Sequence, residues 1–523
     1  MYWTYFRYLF ICIIPVGISA QNGVPVIEQF NLSADWAGHT LTLNYDVSDP
    51  ENDPLEVTVE FSNTAGKTYG LGGQVAMSGD IGFPVTPGQG RAINCDISAL
   101  AGQGAAFTVR LVVDDRQAFD LQSLVNKVDS NRLRGDLQFM EGIRHRTSGA
   151  VHLAEARDSL EQLFSNLGLF TEEQIFTYNT SYSGRNVFGT AAGISAADTV
   201  VVVDAHYDTV SNAPGADDNG SGTVGVMELA RLMSRYPTRK SLRFIGFDLE
   251  EAGLIGSYNY VATGIPANEE VAGVFNFEMI GYYSEAPNSQ TLPPGFSIIF
   301  PAASAEVAAN QYRGDFITNV GNAKYAALAN LFSTSAAAYV PDLKVITVLE
   351  PTGLFVPDLR RSDHAPFWDK GIPALMLTDG SEYRNKCYHT PSDTLDDKLN
   401  FTFMARVVKA TLAAAAQLAE IRHGDWATAS FEGIVPSVEP VAACPRAVVY
   451  GSNSLRLQFD ACPLSGLTLE LFSTGGVLCH REIFLNPPDN GWYEWALPDL
   501  ACGIYILKIQ AAEGSRTFKV FKS

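Results

Sequence analysis

The chain has 523 residues, of which 46% are hydrophobic and 18% charged, a globular composition that excludes collagen-like, disordered and coiled-coil proteins. A single hydrophobic core stops growing at roughly 250 to 300 residues, so two to four domains are expected. Thirty-six basic and 57 acidic residues give a net charge of -21, which repels a phosphate backbone, so no nucleic-acid partner is expected.

Residues 1–20 are predicted to be a cleavable secretory signal. They combine one basic residue, Arg7, with an apolar run from Tyr8 and the small-residue ending Ile18-Ser19-Ala20. A membrane span needs about 20 uninterrupted apolar residues, so no transmembrane segment is predicted here. We therefore expect a mature protein that starts near Gln21 and is secreted or held at the cell surface.

Residues 21–119 are predicted to form an all-β sandwich domain. Short alternating runs such as 41–45 and 55–59 have the period of two that is typical of strands. The Asp- and Pro-rich segment 47–54 resembles loops of immunoglobulin-like or cadherin-like modules. Calcium binding is one interpretation of this loop, and a plain Asp-Pro turn is the other.

Residues 120–423 are predicted to form an α/β domain. After Asp120 apolar residues recur at three- and four-residue spacing, as in amphipathic helices. From Asp198 to about Ile421, apolar strand-like runs alternate with helical stretches, a pattern typical of an α/β sheet.

The last part of the chain is predicted to be a linker over 424–439 and a second all-β sandwich domain over 440–523. Its strand-like runs are 455–459, 467–472 and 504–509. The domain contains four cysteines, whose spacing leaves three disulfide pairings open. They are Cys444, Cys462, Cys479 and Cys502.

Polar residues follow several predicted strands of the α/β domain, and ligands of open α/β sheets bind beyond the carboxyl ends of strands. His206 directly follows the run 199–205. Asp208 lies two residues further on and could hold the imidazole nitrogen of His206 that does not bind a metal. A single His at a strand end is more often structural than metal-binding. The pair therefore needs support from other residues.

Carboxylates recur after His206. Asp218 lies in a Gly-rich turn, Glu250 and Glu251 follow the run 242–249, and Glu278 ends an otherwise apolar run. Helix capping and an acidic helix start are the structural interpretations of these positions. Adjacent carboxylates repel each other, so a cation makes Glu250-Glu251 favourable, with one carboxylate as ligand and one as general base.

His389, before the turn at 390–394, completes a set of two imidazoles and three carboxylates. Such nitrogen and oxygen ligands suit zinc, and five are enough for two ions if one carboxylate bridges them. The five candidate metal ligands are His206, Asp218, Glu251, Glu278 and His389.

The order and spacing of these motifs resemble the secreted co-catalytic di-zinc exopeptidase family of zinc aminopeptidases and glutamate carboxypeptidases, over about 129–421. The resemblance rests on segments 206–208, 215–222, 247–257, 276–279, 362–373 and 388–394. It implies a mixed central sheet sandwiched by helices, and two zinc ions as cofactors.

The resemblance also implies a role for each candidate residue. His206 and Glu278 would bind one zinc, Glu251 and His389 the other, and Asp218 would bridge both. Glu250 would be the general base, and Asp208 would support His206. The chain departs from many aminopeptidases of this family in carrying Glu278 where they have Asp.

The implied function is a secreted zinc-dependent exopeptidase, with an aminopeptidase favoured. It would release amino-terminal residues from peptide or protein substrates through a metal-bridging water and the Glu250 base. A glutamate-carboxypeptidase-like or glutaminyl-cyclase-like enzyme is the alternative on a similar scaffold. A non-catalytic surface adhesin is a further alternative, against which the intact Glu250 argues.

The C-terminal segment resembles the sorting domains of type IX secretion. The matching residues are 469–476, Leu500 with 503–507, and 518–522. This resemblance implies the type IX secretion machinery as a partner. A plain β-sandwich that binds carbohydrate or a cell surface is the other interpretation.

Overall fold

The structure is a computed structural model that describes residues 22–179, 182–395, 399–433, 447–450, 454–460, 467–473, 478–484, 490–497, 503–511 and 514–522. The chain forms two compact units, Met1–Gly433 and Ile434–Ser523. The predicted signal peptide lies outside the described residues, and its cleavage stays a prediction. No helix among the described residues is long and apolar enough to cross a membrane.

The first unit begins with two antiparallel sheets around a shared hydrophobic core. Their strands are β1 (Val26–Asp35), β2 (Thr40–Ser48), β3 (Leu55–Ser62), β4 (Ala76–Gly79), β5 (Gly82–Val85), β6 (Gly88–Asp96) and β7 (Ala106–Asp114), with β16 (Gly424–Glu432). The sheet orders are β1-β2-β6-β4 and β16-β7-β3-β5. Alternate residues of each strand point inward, and Leu43 and Val109 bring the two sheets into one buried cluster.

Strand β16 corrects the predicted linker, because residues 424–432 pair antiparallel with β7 along its whole length. Its Phe431 stacks on Phe107 of β7, with ring centroids 5.4 Å apart. The linker prediction was wrong over these residues because the partner strand lies some 300 residues earlier in the chain, and local sequence carries no signal for such a pairing.

The Asp- and Pro-rich loop after β2 is held by its own hydrogen bonds. The Asp49 carboxylate accepts the backbone N–H groups of Glu51, at 3.1 Å, and Asp53, at 2.8 Å. Among the described residues, no group of three His, Cys, Asp or Glu side chains able to hold a metal lies in this domain. The contacts therefore favour the turn over the calcium site.

The centre of the first unit is an eight-stranded mixed sheet of order β14-β13-β15-β12-β10-β11-β9-β8. Its strands are β8 (Phe170–Asn179), β9 (Tyr182–Ala191), β10 (Ala196–His206), β11 (Lys240–Phe247), β12 (Glu270–Phe277), β13 (Phe316–Asn322), β14 (Lys344–Glu350) and β15 (Ala374–Thr378). The predicted mixed α/β sheet is confirmed, since β11, β10, β12 and β15 are parallel whereas β9 and β13 run antiparallel to their neighbours β11 and β15.

Helices cover both faces of this sheet. The helices are α1 (Leu121–Val125), α2 (Ser130–Met140), α3 (Ala150–Asn166), α4 (Gly222–Met233), α5 (Ile255–Asn259), α6 (Phe296–Ile299), α7 (Pro301–Ala309), α8 (Ala326–Tyr339), α9 (His364–Asp369) and α10 (Phe401–Ala419). Alternate residues of β10 enter two different cores. Val201 packs in the core that contains α2, α3, α4, α8 and α10, and Val202 packs in the core that contains α7 and α9. Burial on both faces explains the near-continuous apolar sequence of the central strands.

The described part of the second unit consists of strands in two antiparallel sheets, ordered β17-β18-β21 and β20-β19-β22-β23. The strands are β17 (Ala447–Tyr450), β18 (Ser454–Asp460), β19 (Leu467–Ser473), β20 (Leu478–Phe484), β21 (Asn490–Ala496), β22 (Gly503–Ala511) and β23 (Gly514–Lys522). Cys444, Cys462 and Cys502 lie outside the described residues, so the disulfide pairing stays a prediction.

Arg110 of β7 joins the β domain to the α/β domain. Its buried guanidinium pairs with Glu60 at 2.7 Å and donates to the main-chain carbonyls of Ala192 and Gly193, which follow β9. Burial raises the pKa of Glu60, and Arg110 opposes this shift. Loss of Arg110 would therefore leave the largely buried carboxylate of Glu60 and two carbonyls without this partner.

We expect Arg110→Met to lower the free energy of unfolding by about 3 to 5 kcal/mol, the usual cost of breaking one side of a buried ion pair. Arg116→Met removes a pair with Glu56 whose side chains are 46% and 35% exposed, and should leave the free energy of unfolding nearly unchanged. Urea denaturation followed by tryptophan fluorescence compares the two variants. Equal losses would show that Arg110 is not a structural anchor.

Candidate metal centre

The candidate site lies where three neighbouring parallel strands end. β10 pairs with β11 on one side and with β12 on the other, so their carboxyl ends meet at one edge of the sheet. His206 is the last residue of β10, Glu250 and Glu251 follow β11 closely, and Glu278 directly follows β12. The sheet thus brings together side chains that are up to 72 positions apart in sequence.

Two further candidate residues reach this edge from connecting segments. Asp218 lies in the turn 216–221 that leads into α4. His389 lies between β15 and α10. The site therefore draws on five separate segments of the α/β domain.

The five candidate ligands form two groups that share Asp218: His206, Asp218 and Glu278, and Asp218, Glu251 and His389. His206 Nε2 lies 3.5 Å from Asp218 Oδ1 and 3.4 Å from Glu278 Oε2. His389 Nε2 lies 3.1 Å from Asp218 Oδ2 and 3.0 Å from Glu251 Oε2. Each oxygen of Asp218 thus faces a different group, and the described residues offer no third group of this kind.

Buried nitrogen and oxygen atoms that lack a well-formed hydrogen bond make these groups suited to a metal. His206 Nε2, His389 Nε2 and Glu251 Oε1 are buried and make no hydrogen bond of favourable geometry, although carboxylate oxygens lie within 3.5 Å of both nitrogens. Such atoms are costly when left unpaired. Imidazole nitrogen and carboxylate oxygen are ligands that zinc prefers, so the donor set fits zinc at both groups, with Asp218 within reach of each.

The electrostatics of the site also favour a cation. Burial raises the pKa of Glu250 well above its usual range; Glu278 and Glu251 add to the shift and His206 opposes it. Burial, with the neighbouring Asp218, raises the pKa of Glu251 to about 7. A divalent cation would reverse this effect and keep the carboxylates ionised.

Asp208 fixes the relative position of two strand ends. Its carboxylate accepts the backbone N–H groups of Glu250, at 3.0 Å, and Glu251, at 3.3 Å. The same carboxylate lies 3.5 Å from Nδ1 of His206, whereas the main-chain carbonyl of Asp208 is 3.2 Å from that nitrogen. Asp208 therefore orients His206 chiefly through its carbonyl, and its side chain holds the two glutamates.

Two supporting residues lie within segments that the sequence analysis quoted without giving them a role. The Asp393 carboxylate accepts the backbone N–H groups of Asp217, at 3.0 Å, and Asp218, at 3.1 Å. The Ser362 hydroxyl donates to Glu278 Oε2 at 2.7 Å. These contacts orient ligands, but the sequence offers only their nearness to the motifs as a signal.

The backbone next to the ligands is unusual. Leu249, Met279 and His389 have φ values of 59°, 55° and 56°, in the left-handed region that non-glycine residues seldom adopt. Each is a candidate ligand or the neighbour of a candidate ligand or base. Such conformations cluster at functional sites, where the surrounding structure holds them.

Part of the chain that contains the site is similar to a recognised sequence family. Residues 186–415 match the sequence model of peptidase family M28, and this range contains all five candidate ligands, Glu250 and Asp208. Protein YfbL of Escherichia coli is 37% identical over 225 residues, which are 40% of this chain and 64% of YfbL. Aminopeptidase YwaD of Bacillus subtilis is 31% identical over 204 residues, which are 38% of this chain and 36% of YwaD.

The match thus spans less than two thirds of the length of either relative. Among solved structures, the LapA aminopeptidase of Legionella pneumophila is 22% identical, with 58% of this chain and 78% of LapA covered and a TM-score of 0.43.

We expect Asp218→Ala to weaken zinc binding at both groups by more than ~100-fold, because one substitution removes a ligand from each. Zinc content after dialysis, measured by mass spectrometry, checks this. The control is Asp158→Ala on α3, whose side chain is 63% exposed. If Asp218→Ala retained the zinc content of the control, the shared-ligand arrangement would be wrong.

Proposed function

We propose that the chain is a zinc-dependent peptidase that acts as an aminopeptidase. The observation that carries this proposal is the pair of ligand groups sharing Asp218, with Glu250 beside them and in neither group. The match to peptidase family M28 over the same residues supports the reaction class. The name of the relative YwaD supports the aminopeptidase activity.

Zinc at this donor set supplies Lewis-acid chemistry toward a peptide carbonyl. The protein's own residues supply the proton chemistry. Glu250 lies 3.9 Å from His206 Nε2 and its side chain is 11% exposed. Its carboxylate is therefore available to accept a proton from the attacking water and return it to the leaving amine.

The charges next to Glu278 favour a substrate that presents its amino terminus. The adjoining pocket is lined by the carboxylates of Asp358 and Glu382 and by one cation, Arg361. Arg361 is already engaged by Glu382 and by the hydroxyl of Tyr388. Among the described lining residues no cation is left for a terminal carboxylate, which argues against a substrate bound by its carboxyl terminus.

We also propose that the protein is secreted and that its second unit serves type IX export. The support for secretion is the signal-like sequence of residues 1–20. The support for export is the sequence resemblance of the C-terminal segment to sorting domains. Detection of the mature protein in culture medium, with and without residues 440–523, tests both parts.

We expect Glu250→Gln to lower kcat by about 10² to 10⁴-fold, the contribution of general acid–base catalysis, while zinc content stays that of the wild type. Glu155→Gln is the control, because this side chain on α3 is 57% exposed. Peptide hydrolysis and zinc content are measured on the same preparations. Wild-type turnover in Glu250→Gln would contradict the assigned role.

We expect an unblocked peptide to lose residues stepwise from its amino end, and an N-acetylated copy of the same peptide to stay intact. Mass spectrometry with and without a zinc chelator records the products, and the chelator should abolish the ladder. Loss from the carboxyl end would indicate a carboxypeptidase. Loss of ammonia from an amino-terminal Gln would indicate a cyclase.

A further inference from the structure

A buried arginine contacts the main-chain segments that carry two of the candidate ligands. Arg144 follows α2, is 0% exposed, and its guanidinium donates to five main-chain carbonyls. A guanidinium has five N–H groups in a rigid planar fork. Buried cations usually pair with carboxylates, so an arginine whose donors are used by carbonyls instead fixes the position of the backbone.

Three of these carbonyls connect the end of α2 to the end of β10. Met140 is the last residue of α2, and its carbonyl and that of Gly142, the latter at 3.1 Å, accept from Nη1. The carbonyl of Tyr207 accepts from Nε at 2.7 Å, and Tyr207 directly follows the candidate ligand His206. Arg144 therefore joins α2 to the main chain next to His206.

The other two carbonyls lead into the turn that contains Asp218. Pro214 accepts from Nη1 at 3.0 Å, and Gly215 accepts from Nη2 at 2.9 Å. Gly215 directly precedes the turn 216–221, and its carbonyl also accepts the backbone N–H of Gly220 at 3.1 Å. The carbonyl that Arg144 binds thus contacts the turn on both sides of Asp218.

The segment between these two ligands has no regular structure of its own to hold it. Residues 207–215 belong to neither a helix nor a strand. The main chain of Arg144 also binds this segment at Thr209, whose hydroxyl accepts the Arg144 N–H at 2.9 Å and whose N–H donates to the Arg144 carbonyl at 3.0 Å. Arg144 therefore contacts the segment at its beginning, near its middle and at its end.

The charge of Arg144 also acts on the carboxylates of the site. Burial lowers the pKa of Arg144 to about 10, and the carboxylates of Asp393, Asp208, Asp218 and Glu251 oppose this shift. The guanidinium therefore stays charged at neutral pH. A lysine would keep this charge but not the hydrogen bonds, because an ammonium group has only three N–H groups, all on one nitrogen.

We propose that Arg144 is a positioning residue that holds His206 and Asp218 in place for the metal from outside the ligand set. The inference rests on the zinc centre of the proposed function and adds a residue that sets its affinity. Arg144 acts on two of the three ligands in the group that contains Glu278, but on only one ligand in the group that contains His389. Replacing Arg144 should therefore weaken zinc binding more at the first group than at the second.

Arg144→Lys tests the proposal, since it keeps the charge and removes the planar set of donors. We expect zinc affinity to fall by about 10 to 100-fold, the usual cost of losing a residue that orients metal ligands, with the larger loss at the group that contains Glu278. Zinc titration of the full chain against a competing chelator gives the affinities. Anomalous diffraction at limiting zinc gives the occupancy of each group. Wild-type zinc affinity in Arg144→Lys would overturn the proposal.

Arg110→Lys is the matched control for a loss of stability alone. Arg110 is also buried and also donates to two main-chain carbonyls, but at the junction with the β domain. The melting temperature of the zinc-free protein should fall in both variants, whereas zinc affinity should fall only in Arg144→Lys. If Arg110→Lys weakened zinc binding as much, the effect would be general destabilisation and the positioning role would be wrong.

Thr209→Val is the milder variant should Arg144→Lys not fold. It removes the hydroxyl that accepts the Arg144 N–H, and should lower zinc affinity by about 2 to 10-fold, the effect of one hydrogen bond. An unchanged affinity would count against the proposal.

Zinc binding and peptide cleavage together separate this inference from the proposed function. A wild type that binds two zinc ions and cleaves no peptide, with weakened zinc binding in Arg144→Lys, would refute the aminopeptidase and retain the positioning role. Peptide cleavage by the wild type, with unchanged zinc affinity in Arg144→Lys, would retain the aminopeptidase and overturn the positioning role.

Discussion

The structure of the candidate metal centre depends on one carboxylate, that of Asp218, which faces both ligand groups at once. His206 and His389 each lie within 3.5 Å of one of its oxygens. Asp393 holds its backbone N–H, and Asp208 holds those of Glu250 and Glu251. Some of these buried carboxylates are candidate metal ligands, and others accept hydrogen bonds that fix the main chain. So much negative charge in one place is favourable only with a cation at its centre.

The candidate metal ligands and the adjoining pocket lie on different parts of the sheet. The parallel strands β10, β11 and β12 end at the metal ligands, whereas the pocket lies on one face of β15, β13 and β14. Glu278 belongs to both, since it is a candidate ligand and lines the pocket.

Much of this edge could be predicted from the sequence, because each strand leaves a local signal. His206 and Glu278 come directly after apolar runs, and Glu251 comes one residue later after such a run. The sheet confirms the α/β alternation around them. Asp218 and His389 lie in turns, where a polar residue is ordinary. Their assignment depended on the order and spacing of several motifs taken together.

The remaining features could not be predicted because they depend on contacts between distant segments. The pairing of β16 with β7 joins residues more than 300 positions apart. The pocket forms only when β13 and β14 pack under α6 and α7, and their sequence alone is that of any buried strand. Apolar periodicity reveals that a strand is buried, but not which cavity its side chains line.

The most direct test of the account is an anomalous difference map from zinc-loaded crystals, recorded at the zinc absorption edge. We expect two peaks, one contacted by His206 and Glu278 and the other by Glu251 and His389, with one oxygen of Asp218 at each. A single peak, or peaks that do not touch Asp218, would contradict the shared-ligand centre on which the proposed function rests.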